Sequence, residues 1–335
     1  MGKNRRPTLS DVAEQVGVTK MTVSRYLNNP QKVAKKTGEQ IQIALDDIGY
    51  IPNRVPDILS NRASRTIGVV LPSFNHPVFQ QVIAGIEAVT DECGYQVMVA
   101  HCGYDEKLEE QRIESLLSFN VDGLILSEHG HTERTLKMLK VAGVPFVEIM
   151  KHTNGESFSV GIDNRLAAFS MVSLMIERGY RNLVCLSVKK GIGTPDKLQG
   201  YLDAMEENAF TPRSLTAKAE SSVSLARKMT RKVLERYPET DAFFCTDDEL
   251  AAGVLLECQH KGLDVPQEIG IAGIHALDIG QSMMPRLASV VTPDRETGEN
   301  AARSLISELQ GVAFSAEPLD FTLDAGASLL AETQE

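Results

Sequence analysis

The sequence predicts a small all-α head followed by a large α/β body of two doubly wound lobes, and two patterns predict it. Residues 8–48 carry apolar residues at helical spacing, broken once by a turn glycine. From Thr66 onward, apolar runs of strand length alternate with amphipathic stretches. The runs IGVVLP, QVMVAH, GLILS and PFVEIM are separated by helical patterns such as Val78–Cys93 and Lys107–Phe119. A second series, LVCLSV, AFFCT and IGIAGI, alternates with helical patterns near Leu166–Arg178, Asp196–Asn208, Leu225–Tyr237 and Asp248–Lys261. Continuous apolar strands between helices make parallel sheets covered on both faces. Two such series imply two lobes. Ligands of open parallel sheets bind beyond the carboxyl ends of the strands, so two facing lobes enclose a central cleft.

In the head, Thr8-Leu-Ser-Asp11 has the form that starts a helix, with Thr8 as its N-cap. Leu9, Val12, Ala13 and Val16 form one apolar face. Gly17 breaks the helix, and Thr19 caps a second one from about Lys20 to Leu27. A small residue at Ala13, a turn glycine and an apolar Val23 are what a helix-turn-helix needs to lock one helix onto the other. The outward face of the second helix carries Lys20, Met21, Thr22, Ser24 and Arg25, which suit base edges and phosphates. An ordinary helical hairpin with a polar outer face is the alternative. A third helix over Lys35–Ile48 supplies Ile41, Ala44, Leu45 and Ile48 to close the core.

Charge divides along the same boundary. The chain has a net charge of −11, yet its first 65 residues hold 11 Lys/Arg against 6 Asp/Glu, and the remainder 23 against 39. A basic head on an acidic body presents one surface to polyphosphate and withholds the other. Five scattered cysteines without a C-x-x-C pair suit reduced thiols in the cytosol. No apolar run has membrane-spanning length, and MGKNRRPTLSDV has no apolar signal-peptide segment. A cytoplasmic protein is expected.

Catalytic signatures are missing from the sequence. GIGTPD at 191–196 is only part of a phosphate-binding fingerprint. There is no G-x-S-x-G, G-x-x-x-x-G-K-[ST] or H-E-x-x-H pattern. His129-Gly-His131 could chelate a metal but lacks acidic or cysteine partners at ligand spacing. No enzyme, cofactor or metal is expected.

The segment LSDVAEQVGVTKMTVSRYLNNPQKVAKKTGEQIQIALDDIGYIPNRVPDILSN resembles the head of the lactose/galactose-repressor family, with Thr19 at the usual serine and Pro56 at a common alanine. The resemblance extends over essentially the whole chain. It implies a helix-turn-helix DNA-binding domain over 1–52, a hinge helix and linker over 53–65, and a periplasmic-binding-protein-like effector-binding and dimerisation domain over 66–335. DNA contacts then fall to Thr8, Thr19, Lys20, Met21, Thr22, Ser24 and Arg25, and to the hinge residues Asn53, Arg54 and Leu59. In the family the hinge lies in the minor groove, where Leu59 matches the position of an apolar wedge.

The resemblance also implies an effector cleft with Asp247 meeting ligand hydroxyls and Phe74, Phe79, Ser127, Glu148 and Asn164 near strand ends. Lys197 stands where many sugar-binding members have arginine, and His275 where they have aspartate. Exchanging an aspartate for a histidine while keeping a cation favours an anion, with Lys197 and His275 holding a carboxylate. TKMTVSRYL, FCTDDELAAG and AGIHALDIGQSMMPRLASVVTP resemble gluconate- and idonate-utilisation repressors within the family, implying a sugar-acid effector such as gluconate. The family further implies a homodimer on a pseudo-palindromic operator. The competing expectations are a sugar-binding protein without a regulatory role, and a sugar-metabolising enzyme carrying a DNA-binding head.

Overall fold

The computed structural model describes residues 5–52, 63–127, 130–151, 159–312 and 319–331. The chain forms two compact units, Met1–Ser64 and Arg65–Glu335.

The first unit holds α1 (Leu9–Val16), α2 (Lys20–Asn28), a short 3₁₀ turn and α3 (Lys35–Ile48). The α1 start is built as its sequence implies. The Asp11 carboxylate accepts from the Thr8 N–H at 2.6 Å and from its hydroxyl at 2.7 Å, which holds that carboxyl below its ordinary value. Gly17 closes the helix at φ +73°, a left-handed conformation that glycine adopts without steric penalty. The Thr19 hydroxyl then accepts from the Thr22 N–H at 3.2 Å and opens α2. Val12, Ala13, Val23, Ile41, Ala44 and Leu45 form the core, with Tyr26, Leu27 and Ile48 packed around it.

The second unit contains both lobes. The first lobe is a parallel sheet of β1 (Thr66–Leu71), β2 (Gln96–His101), β3 (Gly123–Ser127), β4 (Phe146–Ile149) and β5 (Ser159–Val160), in the order β2-β1-β3-β4-β5. Its helices are α4 (Pro77–Glu92), α5 (Glu106–Ser118) and α6 (Glu133–Ala142). The chain then enters the second lobe through α7 (Asn164–Glu177), β6 (Leu183–Lys190), α8 (Thr194–Glu207), β7 (Arg213–Glu220), α9 (Val223–Arg236), β8 (Ala242–Cys245), α10 (Asp248–Lys261), β9 (Gly270–Ile274), α11 (Asp278–Gln281) and β10 (Ala288–Val291). It returns for α12 (Asp294–Leu309), which lies along α4, and crosses again to β11 (Thr322–Asp324). The second sheet runs β11-β10-β9-β8-β6-β7, parallel except for β11. One contiguous apolar cluster links the lobes, reaching from Ile67 and Phe79 through Met150 and Ile162 to Leu183 and Phe244.

Five of the apolar runs become the buried strands β1, β3, β6, β8 and β9; PFVEIM becomes the half-buried β4, and QVMVAH the edge strand β2, largely exposed because one side of it has no neighbour. The edge strand β7 gave no such run. It alternates half-buried and exposed residues along RSLTAKAE, because only one of its faces is covered. Helix α12 also lacks a strong apolar stripe, since it docks by small residues. Gly85 on α4 faces Gly298 on α12, and a Cβ at Gly85 would come within 2.1 Å of the Arg295 carbonyl oxygen. Among the described residues, no helix is long and apolar enough to cross a membrane.

This close helix contact predicts the effect of a single methyl group. Gly85→Ala must push the helices apart at a cost of about 1–3 kcal/mol, lowering the melting temperature by roughly 1–5 °C in a protein of this size. Thermal unfolding followed by circular dichroism checks it, and an unchanged midpoint would contradict the packing described.

Candidate DNA-binding face and interlobe ligand site

Helix α2 presents Lys20, Met21 and Arg25 to solvent, with Met21 70% exposed. Thr22 and Ser24 are half-buried beside them, because Val23 turns inward to the core. Thr8 and Thr19 stand at the two helix starts, Thr8 half-buried and Thr19 exposed. The hinge residues Asn53, Arg54, Pro56 and Leu59 lie outside the described residues.

In the second unit, polar side chains converge where the strands end between the lobes. Asp247 follows β8 and caps α10: its Oδ1 accepts from the Glu249 N–H at 2.7 Å. Its Oδ2 pairs with Nε2 of His76, which caps α4 in the first lobe. Both side chains are buried. Burial opposes charge on each, but the pairing outweighs it, raising the His76 pKa and holding the Asp247 carboxyl well below the usual carboxylate range. The Val78 N–H donates to His76 Nδ1 at 3.4 Å, so Nδ1 accepts and the ring presents its Nε2–H to the Asp247 carboxylate. A second contact across the cleft runs from the Ser73 hydroxyl to Glu220 at 3.3 Å.

Behind this pair lies Lys197, fully buried on α8. Its ammonium donates to the Thr246 carbonyl at 3.2 Å and to His275 Nε2 at 2.9 Å. His275 Nδ1 lies 3.0 Å from the Thr292 hydroxyl, which donates to Asp294 at 2.7 Å. These contacts assign His275 as a neutral ring with its proton on Nδ1. Burial and the neighbouring Lys197 agree, lowering its pKa to about 4. His275 therefore brings no second positive charge to the cleft.

The backbone here is strained. His275 and Ala276 have φ of 98° and 49°, values unusual for residues with a Cβ. The turn is pinned by Ala276 N–H to the Ser289 hydroxyl at 2.9 Å and Leu277 N–H to Asp248 at 2.7 Å. Asp248 is itself buried, which pushes its carboxyl well above the ordinary value despite those donors.

Asn164 joins the same region, donating to the Met150 carbonyl at 2.9 Å. With Met150, His275, Thr292 and Asp294 it lines a cavity of about 10 Å³, room for one water at most. The Thr194 and Thr246 hydroxyls nearby in the fold are buried without a hydrogen-bond partner among the described residues.

The other sequence-selected positions make contacts outside this hydrogen-bond network, with Phe79 against His76. Phe79 is buried in the first-lobe core, its ring meeting His76 edge-on at 6.1 Å. Phe74 is exposed and tilted over His101 at 5.3 Å, and Ser127 is buried at the end of β3. Glu148 accepts from His131 Nε2 at 3.0 Å, while His131 Nδ1 donates to the fully buried Glu109 at 2.7 Å. No acidic residue stands at ligand spacing from His131 along the chain; folding supplies two. Burial opposes its charge, yet the two carboxylates push its pKa up to about 9. His129 lies outside the described residues.

Sequence reasoning missed His76, Ser73, Glu220, Thr292 and Asp294. The first had one available signal: a polar residue directly before Pro77 at the start of an apolar helix is an N-cap pattern. His76, Asp247 and Glu249 also bring three ligand-type atoms within 4.8 Å of one another. The direct pairing with Asp247 already engages the His76 nitrogen that would ligate an ion.

Comparison with known proteins agrees with this architecture. Residues 64–320 match a family described as periplasmic binding proteins and sugar binding domain of LacI family, and residues 8–53 match bacterial regulatory proteins, lacI family. The chain is 48% identical to the HTH-type transcriptional regulator GntR of Escherichia coli strain K12 over 98% of its length and 100% of that protein. It is 45% identical to IdnR of the same strain over 92% of its length and 93% of that protein. A LacI-family transcriptional regulator from Silicibacter pomeroyi superposes with a TM-score of 0.90 at 29% identity, covering 97% of this chain and 100% of that one. A helix-turn-helix head, two periplasmic-binding-protein-like lobes and these matches along the chain make this protein a DNA-binding transcriptional regulator of the LacI family, not an enzyme.

Proposed function

We propose that this regulator is a repressor whose operator affinity is set by a sugar acid bound between the lobes. Residues 1–52 form the reading head, 53–65 the hinge, and 66–335 the effector-binding and dimerisation domain. Lys20, Met21, Thr22, Ser24 and Arg25 face the major groove, with Thr8 and Thr19 at phosphates. Asn53, Arg54 and Leu59 serve the hinge in the minor groove.

The observation that carries the effector reading is the convergence of Lys197, Asp247 and His275, far apart in sequence, with Asn164 nearby. Phe74, Phe79, Ser127 and Glu148 complete the cleft walls. Carboxylates and unpartnered hydroxyls suit a polyol, and the His76 Nε2–H and the Lys197 ammonium suit its acid group. The resemblance to gluconate- and idonate-utilisation repressors supports gluconate or a close relative.

The cavity beside the crossovers is too small for such a molecule, so the lobes separate to admit it. An effector that favours the opened body weakens operator binding by the difference of its affinities for the two states. A single head reads few base pairs, so two are presented by a homodimer to a pseudo-palindromic operator in the cytoplasm. An edge strand leaves one row of backbone groups without a sheet neighbour. β2 is such a strand, with Met98 and Val99 exposed, and Leu256, Ile279 and Met284 are exposed on the second lobe. These surfaces support the dimer.

Arg25→Ala should weaken operator binding by on the order of 1–3 kcal/mol, read as a rightward shift in a gel-shift titration. Wild-type affinity in this variant would remove Arg25 from the interface. Isothermal titration with gluconate, idonate, 6-phosphogluconate and glucose should give tighter binding of a sugar acid than of glucose, and Lys197→Met, which keeps the buried volume without the charge, should lose it. Preference for glucose would overturn the effector assignment.

A further inference from the structure

We propose that His76 selects for a carboxylate-bearing effector: the effector's carboxylate takes the place of the Asp247 carboxylate on the His76 ring, and Asp247 turns to the effector's hydroxyls. This rests on the sugar-acid reading above and deepens it.

The geometry makes Asp247 a resident substitute for the ligand's acid group. One of its oxygens is committed to the Glu249 N–H at 2.7 Å, as the cap of α10. The other meets His76, a residue of the opposite lobe. Separation of the lobes breaks that pair and leaves the His76 Nε2–H and the Asp247 carboxylate each without its partner across a gap. The remaining basic groups are already engaged. Lys197 donates to the Thr246 carbonyl and to His275, and both ring nitrogens of His275 have partners. His76 is thus the basic group of the cleft whose charge partner must be exchanged.

A neutral polyol can hydrogen-bond to Asp247 but leaves His76 without an anion. A sugar acid satisfies both groups. Sites built around a specific polar group reject analogues lacking it because a buried partner is left unpaired. Two further carboxylates flank the pair: Glu249 accepts from Ser221 at 3.2 Å, and Glu220 accepts from Ser73. They oppose a second negative charge on the ligand and restrict the exchange to one acid group.

Isothermal titration with gluconate and with glucitol, the same open chain without the carboxylate, tests this in the full-length protein. Wild type should favour gluconate. His76→Gln, and His76→Asn, which retains a good helix cap, should lose about tenfold or more of that preference, chiefly through weaker gluconate binding, with thermal unfolding confirming that each variant folds. Asp247→Asn removes the competing carboxylate and should raise the preference for gluconate. A preference that survives both His76 variants, or falls in Asp247→Asn, overturns this inference alone. Equal binding of gluconate and glucitol by wild type overturns the sugar-acid reading with it.

Discussion

The buried carboxylate of Asp247 is the constraint on which the arrangement of the body depends. A charge removed from water is tolerable only when paired and hydrogen-bonded. Asp247 meets that requirement from both lobes at once: its own lobe supplies the Glu249 N–H, and the other supplies His76. The two lobes are therefore joined by a hydrogen-bonded His76–Asp247 pair of which each lobe owns one half. Such a pair is sensitive to any ligand that offers a better partner to either half, and this ties an interior electrostatic contact to the placement of one lobe against the other.

The second polar chain has a different role. Lys197, His275, Thr292 and Asp294 run from α8 through the end of β9 to the start of α12, along a segment where the chain crosses between lobes. The Lys197 ammonium donates to His275 and to the Thr246 carbonyl, and the histidine is neutral. Charge is concentrated at the His76–Asp247 contact, while the crossover is braced by directional hydrogen bonds. The strained backbone at His275 and Ala276 persists because Ser289 and Asp248 hold the following amides. Beyond it, the close α4–α12 contact fixes the returning chain to the first lobe.

Much of this was legible in the sequence because its causes are local. Thr8, Asp11, Gly17 and Thr19 mark the head's helix ends by cap chemistry, and α3 and α10 begin and end where apolar spacing placed them. Strands buried on both faces announced themselves as apolar runs. Edge strand β7 and the small-residue helix α12 did not, since their burial is decided by neighbours distant in sequence. The site followed the same division. Lys197, Asp247 and His275 follow from family resemblance, which has His275 help hold a carboxylate; only the Lys197 ammonium at 2.9 Å shows that its Nε2 accepts instead. His76 and the His131–Glu109–Glu148 cluster acquire their meaning from partners that folding alone brings near.

The central claim is that occupancy of the cleft controls the grip of the head on DNA. Fluorescence anisotropy of a labelled operator, taken from the palindromic stretch upstream of the protein's own gene, tests it directly when titrated with full-length protein with and without saturating gluconate. Sequence-preferring binding that gluconate weakens, with glucitol at the same concentration leaving the curve in place, is the expected result. An operator affinity indifferent to every sugar acid that binds the body would contradict the account.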